Sequence, residues 1–413
     1  MRVAVIGAGL AGLTAALRLA DGGAAVTLIT QGTGGLQLSQ GSLDILGYAP
    51  ERIDRPLAAL PAFVAERPEH PYAHVAGTVA EAVGYVADLV GPALLAGDPA
   101  TNLQLPTAVG AVRPTAVAPP SMTTADVGDG NAYLVVGFRR LKDFPASLVA
   151  GNLDRTAVAQ VSARHAWVDL IARAGERDSS ALTFARALDD APVRDRLAQQ
   201  LSALVEPDEI VLVPACLGLS DPGVAEALSH QVGHPVAEVA LQPPGVPGMR
   251  LNQALIQAAK DRRVRIIAGS RVTGARRSNG RLDAVVVASA GHPTDVRADA
   301  FVYAPGGFES GALAVDSHGR ITEVGLGLPL TATDARGLIS EDFWGSDQAL
   351  FGVGVRADAA LRPVDAAGEV VWANVHIAGG ILAGAHRWRE KSGDGIAVAT
   401  AVRAADTILQ EGS

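Results

Sequence analysis

Arg2-Val3-Ala4-Val5-Ile6-Gly7-Ala8-Gly9-Leu10-Ala11-Gly12 opens the chain, and its reading decides the fold. Val3 to Ile6 form an apolar, largely β-branched run of the kind found in parallel strands buried on both faces. Gly7-x-Gly9-x-x-Gly12 follows without a gap. The spacing then predicts a helix over Leu10 to Ala20, with Leu10, Leu13, Leu17 and Ala20 on one face and Gly22-Gly23 closing it. Ala25 to Thr30 reads as a second strand, which completes a βαβ unit of about thirty residues. In that setting each glycine has a task. Gly7 permits the tight turn, Gly9 lets the backbone approach a phosphate, and Gly12 lets the helix pack on the strand. The free N–H groups and positive dipole end of the helix, at Leu10 and Ala11, face the anion.

One expected element is absent. A dinucleotide site of this kind ends its second strand in Asp or Glu, which holds the adenosine ribose hydroxyls. Here the residue is Thr30. A hydroxyl keeps one hydrogen bond but not the two-pronged clamp, so FMN, which has no adenosine, stays open beside FAD.

Downstream, Val264–Ile267 and Leu282–Ala288 read as strands about the turn Ser278-Asn279-Gly280. They lead to a further strand ending in Ala304-Pro305-Gly306-Gly307. This resembles the Ala-Thr-Gly-Gly return strand of two-domain flavoproteins, with Pro305 in place of Thr. Near the C-terminus, Val371 to Gly380 predicts a strand ending in Gly379-Gly380. Ser392-Gly393-Asp394-Gly395 then leads into a helix from Ile396 to about Leu409. In such flavoproteins an acid at the position of Gly380 binds the ribityl chain, and the helix start at Gly395-Ile396 faces the flavin pyrimidine ring. A plain docking helix preceded by a loop is the alternative. The fold expected is therefore α/β, a Rossmann-like FAD/NAD(P)-binding flavoprotein fold with an inserted second domain. Residues 1–48 plus 262–413 form the discontinuous flavin-binding domain, and 49–261 the inserted substrate or partner domain.

Length and composition agree with two globular domains: 413 residues, 48% hydrophobic and 19% charged. A net charge of −9 argues against a nucleic-acid binder. Cys216 is the single cysteine, which fits a reducing compartment and excludes an iron–sulfur cluster held by this chain's own thiolates. The longest apolar run, Ile210 to Leu219, is about half the ~20 residues of a membrane span. No signal peptide is read before the first strand, so the chain is expected to be cytoplasmic, or peripheral on the inner face of the cell membrane through its partners. No metal-ligand spacing stands out.

After the second strand comes Gly34-Gly35-Leu36-Gln37-Leu38-Ser39-Gln40-Gly41-Ser42-Leu43-Asp44-Ile45-Leu46. This stretch resembles the Ser-x-Gly-Ser-Leu-Asp-Leu-Leu signature of the B subunit of anaerobic, quinone-linked glycerol-3-phosphate dehydrogenase. His70-Pro71-Tyr72, Pro214-Ala215-Cys216-Leu217-Gly218-Leu219 and Pro243-Pro244-Gly245-Val246-Pro247-Gly248-Met249-Arg250-Leu251 are similar to further blocks of that family. Gly306-Gly307-Phe308 and Leu361-Arg362-Pro363 continue its order. One departure is the run Arg389 to Gly395, where the family's best-known members carry a glycine- and cysteine-rich stretch.

The resemblance implies a flavin-containing subunit, described as carrying FMN, with FAD the alternative. It implies a catalytic FAD subunit and an iron–sulfur subunit as partners, glycerol 3-phosphate as the complex's substrate, and electron transfer towards the quinone pool. The candidate cofactor-binding residues are Gly7, Gly9, Leu10, Ala11, Gly12, Thr30, Gly35, Ser39, Gly41, Ser42, Gly306, Gly379, Gly380, Gly395 and Ile396. Asp44 accompanies Ser39 and Ser42 either as a cofactor contact or as part of a capping cluster. His376 and His386 are structural or proton-carrying, and Arg250 and Arg362 bind phosphate or form ion pairs. Cys216 reads as a buried thiol more readily than as a redox group. Two other functions stay open, a stand-alone flavin-dependent dehydrogenase or reductase and a non-catalytic assembly subunit.

Overall fold

The computed structural model describes residues 1–288, 291–342 and 345–412. β1 (Arg2–Ile6), α1 (Leu10–Asp21) and β2 (Ala25–Ile29) form the opening βαβ unit, with Arg2 opposite Ala25 and Ile6 opposite Ile29 in parallel register. The period of two explains why successive residues of β1 are apolar. Val3 and Val5 enter the core cluster under α1, while Ala4 and Ile6 enter another on the opposite face. β2 stops one residue before the predicted end. Thr30 still donates its N–H to Ile267 O at 2.9 Å, but its hydroxyl turns to the Gly32 carbonyl and starts the loop.

Four further elements complete this layer: α2 (Val246–Asp261), β3 (Arg265–Ile267), β4 (Ala300–Tyr303) and β5 (Val375–Ile377). The sheet order is β3-β2-β1-β4-β5, parallel throughout. The carboxyl ends of β1 and β4, the two strands that lead into Gly7 and Gly306-Gly307, thus lie side by side. Residues Val272–Ser278 and Arg281–Val287 form an antiparallel hairpin about the predicted turn, but the first strand expected for it, Val264–Ile267, joins the parallel sheet as β3 instead, and a later segment supplies the hairpin's first strand. Its two-residue loop has φ of 48° at Asn279 and 71° at Gly280, the paired left-handed conformation that Asn-Gly adopts most readily.

The last helix, α3 (Gly393–Glu411), starts three residues before the predicted Ile396. Gly393 to Gly395 occupy its first turn, where N–H groups need no intrahelical acceptor and an acid such as Asp394 is favoured by the helix dipole. α3 packs on α1. A Cβ at Gly22 would stand 2.3 Å from Leu409, and Arg18 Nε pairs with Asp406 at 2.7 Å.

Between β2 and β3 the chain builds a second parallel sheet in the order Val236–Val239, Glu209–Pro214, Ala132–Phe138, Ser162–Val168. It has its own core, with Phe138, Phe184, Val211 and Leu212. Other parts of the same stretch pack elsewhere: Leu60, Phe63, Val83 and Val86, and Leu251 and Leu255 of α2, join the cluster of Val3, Leu13 and Leu17. Arg250 of α2 ties the two sheets together. It reaches both oxygens of Glu238 at 2.9 and 3.0 Å and the Leu217 and Gly218 carbonyls. Among the described residues no helix is long and apolar enough to cross a membrane.

Candidate functional site

A cleft of about 560 Å³ opens at the carboxyl ends of β1, β2 and β4. Gly7 to Gly9 form one wall, Thr30 to Gly35 the second, Ser270 to Val272 the far end, and Ala304 to Ala312 the near end. Its glycines differ in what they meet. Gly7 has φ of +106°, and a Cβ there would lie 2.1 Å from the Ala304 carbonyl oxygen. A Cβ on Gly12 would lie 1.9 Å from the Gly7 carbonyl oxygen. These two are glycine because backbone fills the space. A Cβ on Gly9 meets nothing within 4 Å. Gly9 is also the N-cap of α1, without a side-chain cap and with no acid in the first turn, so the helix's open N–H groups lie beside empty volume. That combination fits a phosphate of a flavin nucleotide.

Gly34, with φ of +75°, brings the second wall against the first; a Cβ there would lie 2.3 Å from the Ala8 carbonyl oxygen. At the near end, Gly306 has φ of +88° and closes on Ser310. Glu309 lines the cleft and is paired with Arg387 at 3.1 Å. The Arg387 guanidinium lies against Gly307 and Gly380, where Cβ atoms would come within 3.0 and 2.6 Å of it. Gly380 thus leaves room for an arginine at the position where an acid was expected. Gly379, with φ of +73°, donates its N–H to Thr400 Oγ1 at 3.0 Å and lies close to Ala11.

A second set of residues gathers at the start of α3. Ser42 Oγ accepts from Arg113 Nη2 at 2.8 Å, and Asp44 Oδ2 accepts from Arg113 Nη1 at 2.5 Å. Asp44 N–H donates to Asp394 Oδ2 at 3.1 Å, and Gly395 N–H donates to the Asp44 carbonyl at 2.9 Å. Tyr72 is wholly buried beneath them and gives its hydroxyl proton to the Ile45 carbonyl. Its N–H donates to His70 Nδ1, which leaves His70 Nε2 as donor to Glu390 at 3.2 Å. Burial pushes the Glu390 carboxyl up, but the His70 and Ser392 donors outweigh it and hold it below its ordinary range. Burial pushes the Asp394 carboxyl up to about 7, with the Asp44 charge adding to the rise. Here the glycines face protein: a Cβ on Gly395 would stand 2.2 Å from the Tyr72 hydroxyl.

Comparisons with known proteins give the family. A family model described as an FAD binding domain matches residues 2–396. The B subunit of anaerobic glycerol-3-phosphate dehydrogenase from Pectobacterium atrosepticum is 31% identical over 424 aligned residues, covering 100% of this chain and 99% of that protein. The protein named as the probable B subunit of the same dehydrogenase in Halobacterium salinarum is 33% identical over 418, covering 96% and 95%. This chain belongs to the B-subunit family of anaerobic glycerol-3-phosphate dehydrogenases. It is a flavin-binding protein of oxidoreductase type. Among solved structures, the open conformation of a flavocytochrome c3 fumarate reductase covers 99% of this chain with 78% of its own, at 10% identity and a TM-score of 0.47.

Within this chain the predicted residues fall into several places. Gly7, Gly9, Thr30, Gly35 and Gly306 line the cleft, with Leu10, Ala11 and Gly12 in the first turn of α1 behind it. Ser42, Gly395 and Ile396 belong to the network at the start of α3, and Gly379 and Gly380 lie between α1 and Arg387. Ser39 and Gly41 pack against the N-terminal turn of α2: a Cβ on Gly41 would lie 2.7 Å from the Pro247 carbonyl, and one on Gly248 would lie 2.4 Å from the Ser39 carbonyl oxygen.

Arg250 and Arg362 are held by Glu238 and Asp358, and Cys216 is buried with its thiol pushed well above its usual range by desolvation. His376 is fully buried, which lowers its pKa, and its Nδ1 bonds the Ala360 carbonyl at 2.7 Å. Sequence reasoning missed Ser270, Arg271, Glu309, Arg113 and Asp394. The acids and arginines carry no motif of their own, and only pairing across distant segments gives them a place. His70-Pro71-Tyr72 is visible in the sequence as a motif, but not as a support beneath the last helix.

Proposed function

We propose that this chain is the flavin-carrying B subunit of a quinone-linked glycerol-3-phosphate dehydrogenase. In this reading it takes part in oxidation of glycerol 3-phosphate to dihydroxyacetone phosphate and relays the electrons towards the quinone pool. The observation that carries the reading is the open space at Gly9 beside the uncapped start of α1, in a chain matched end to end by B-subunit relatives. Partners of the same complex, a catalytic FAD subunit and an iron–sulfur subunit, complete the relay. The chain would then be cytoplasmic and reach the membrane face through them.

The residues present fit a flavin. Gly7 to Gly12 would hold the phosphate, Thr30 and Gly35 would border the far portion, and Gly306 with Gly379 and Gly380 would border the ribityl portion. Ser39 to Ser42 and Gly395-Ile396, which pack against protein, would brace the site from behind. When bound, the flavin supplies the redox chemistry. The chain's own residues orient it, exclude water and set the charge around it. In this reading residues 1–48 plus 262–413 serve the flavin, and 49–261 serve substrate or partners.

For the cofactor we favour FAD over the FMN that the resemblance implies. The cleft continues past Thr30 to Ser270–Val272, which leaves room for an adenosine beyond the phosphate loop. Denaturing the purified chain and weighing the released flavin tests this. FAD is expected, FMN would mean that the loop holds a terminal phosphate, and no flavin would defeat the reading. Glycerol 3-phosphate should reduce the bound flavin only when the partners are present; reduction by the chain alone would favour a stand-alone dehydrogenase.

A further inference from the structure

The polar side chains that line the cleft divide into those engaged by protein and those left free. Thr30 turns its hydroxyl to the Gly32 carbonyl, Ser310 bonds the Gly307 carbonyl at 3.0 Å, and Tyr303 gives its proton to Glu323. Glu323 is held in turn by the N–H groups of Gly325, Leu326 and Leu328. Glu309 is paired with Arg387. The Arg271 guanidinium, exposed at the far end, makes no hydrogen bond or ion pair among the described residues. Arg271 is also the one cation and Glu309 the one carboxylate among the described residues that line the cleft, and that carboxylate is already neutralised. The cleft therefore offers a ligand one free charge, and it is positive.

Backbone fixes where that charge starts. Thr30 N–H donates to the Ile267 carbonyl and Ser270 N–H donates to the Thr30 carbonyl at 3.0 Å, so the chain leaving β3 runs beside the end of β2. β2 separates β3 from β1 in the sheet. At ~4.8 Å between strands, Arg271 leaves the backbone about 10 Å from the glycine loop. A mononucleotide whose phosphate sits at Gly9 ends short of it, whereas the adenosine of a dinucleotide extends towards it.

We propose that Arg271 selects FAD over FMN by holding the adenosine half, in place of the carboxylate that is absent at Thr30. This rests on the flavin reading above. A carboxylate grips the ribose by accepting from its hydroxyls. The guanidinium does the converse: its planar fork donates to ribose and ring acceptors, and its flat face packs on the adenine ring.

Arg271→Ala removes an exposed side chain without partners, so the thermal midpoint of the flavin-free chain should not move. FAD and FMN are titrated into both proteins at about 0.15 M salt, where the Debye length of about 8 Å screens a charge acting from a distance. The variant should bind FAD about tenfold or more weakly, with FMN affinity within about twofold of wild type. ADP, which carries the adenosine half without the flavin, should compete with FAD for the wild-type chain and lose affinity in the variant as FAD does. Equal losses for FAD and FMN would put the charge on their shared phosphate and overturn the proposal. FAD bound equally by both proteins overturns the proposal alone, whereas a wild-type chain that binds neither flavin defeats the flavin reading and the proposal with it.

Discussion

The glycine-loop cleft and the network at the start of α3 are both built around glycines next to a helix N-terminus, yet they use them in opposite ways. At Gly9 the missing side chain opens onto empty volume; at Gly395 it opens onto the Tyr72 hydroxyl. The uncapped turn of α1 faces a cleft, whereas the first turn of α3 carries Asp394 and lies against Asp44. A glycine at a helix start is therefore not by itself a sign of a ligand. What the absent Cβ would have met tells the two uses apart.

Substitutions at these glycines can break that contrast. The largest effect is expected at Gly12→Val, where the new side chain strikes the Gly7 carbonyl with no flexible neighbour to yield. A loss of about 3 kcal/mol or more, seen as a fall in thermal midpoint or in folded yield, follows from overpacking against backbone. Gly395→Ala should cost roughly 1–3 kcal/mol by the same mechanism. Much of that cost should be absent in a Tyr72→Phe background, because the oxygen nearest the new methyl is gone. Equal costs in both backgrounds, measured by denaturant unfolding, would mean that Tyr72 is not the obstacle.

Asp394 gives a pH test with a definite sign. Its folded carboxyl is pushed up to about 7, whereas an unfolded Asp titrates near ~4. The folded chain thus binds the extra proton in that window, and its stability from this group is present at the acid end and lost as pH rises through it. Asp394→Asn should flatten the fall in thermal midpoint between those values; an unchanged slope would count against the raised carboxyl. The smallest effect on stability is expected at Gly9→Ala. With open space and φ of −74°, the change should stay within about 0.5 kcal/mol in the flavin-free chain. Flavin retained after desalting should nevertheless fall about tenfold or more, as a methyl group would occupy the space beside the open N–H groups. Retention at the wild-type level would remove Gly9 from the phosphate site.

Much of the first region was legible in the sequence because it is local. The strand, the glycine loop, the helix and the second strand lie within the first thirty residues, and period and turn chemistry fix them without distant help. The Asn279-Gly280 turn and the strand after it were readable for the same reason, whereas the strand before it, Val272–Ser278, was not. The second region joins residues 42–45, 70–72, 113 and 390–395, and no local pattern says that Arg113 should meet Asp44. Thr30 and Gly380 mark the same limit. Both read as missing acids, but the structure turns the Thr30 hydroxyl into its own loop and fills the space at Gly380 with Arg387.

By itself, then, the sequence determined a buried parallel βαβ unit with its glycine-rich loop and the family to which the chain belongs. The physical basis is short-range: hydrophobic period, glycine torsions and contiguous motif blocks. Only the tertiary structure decided which glycines face space and which face protein, and that Arg113 meets Asp44 and Ser42. Those outcomes depend on the packing of α1, α2 and α3 around one sheet, and on charges that distant segments bring into a common enclosure.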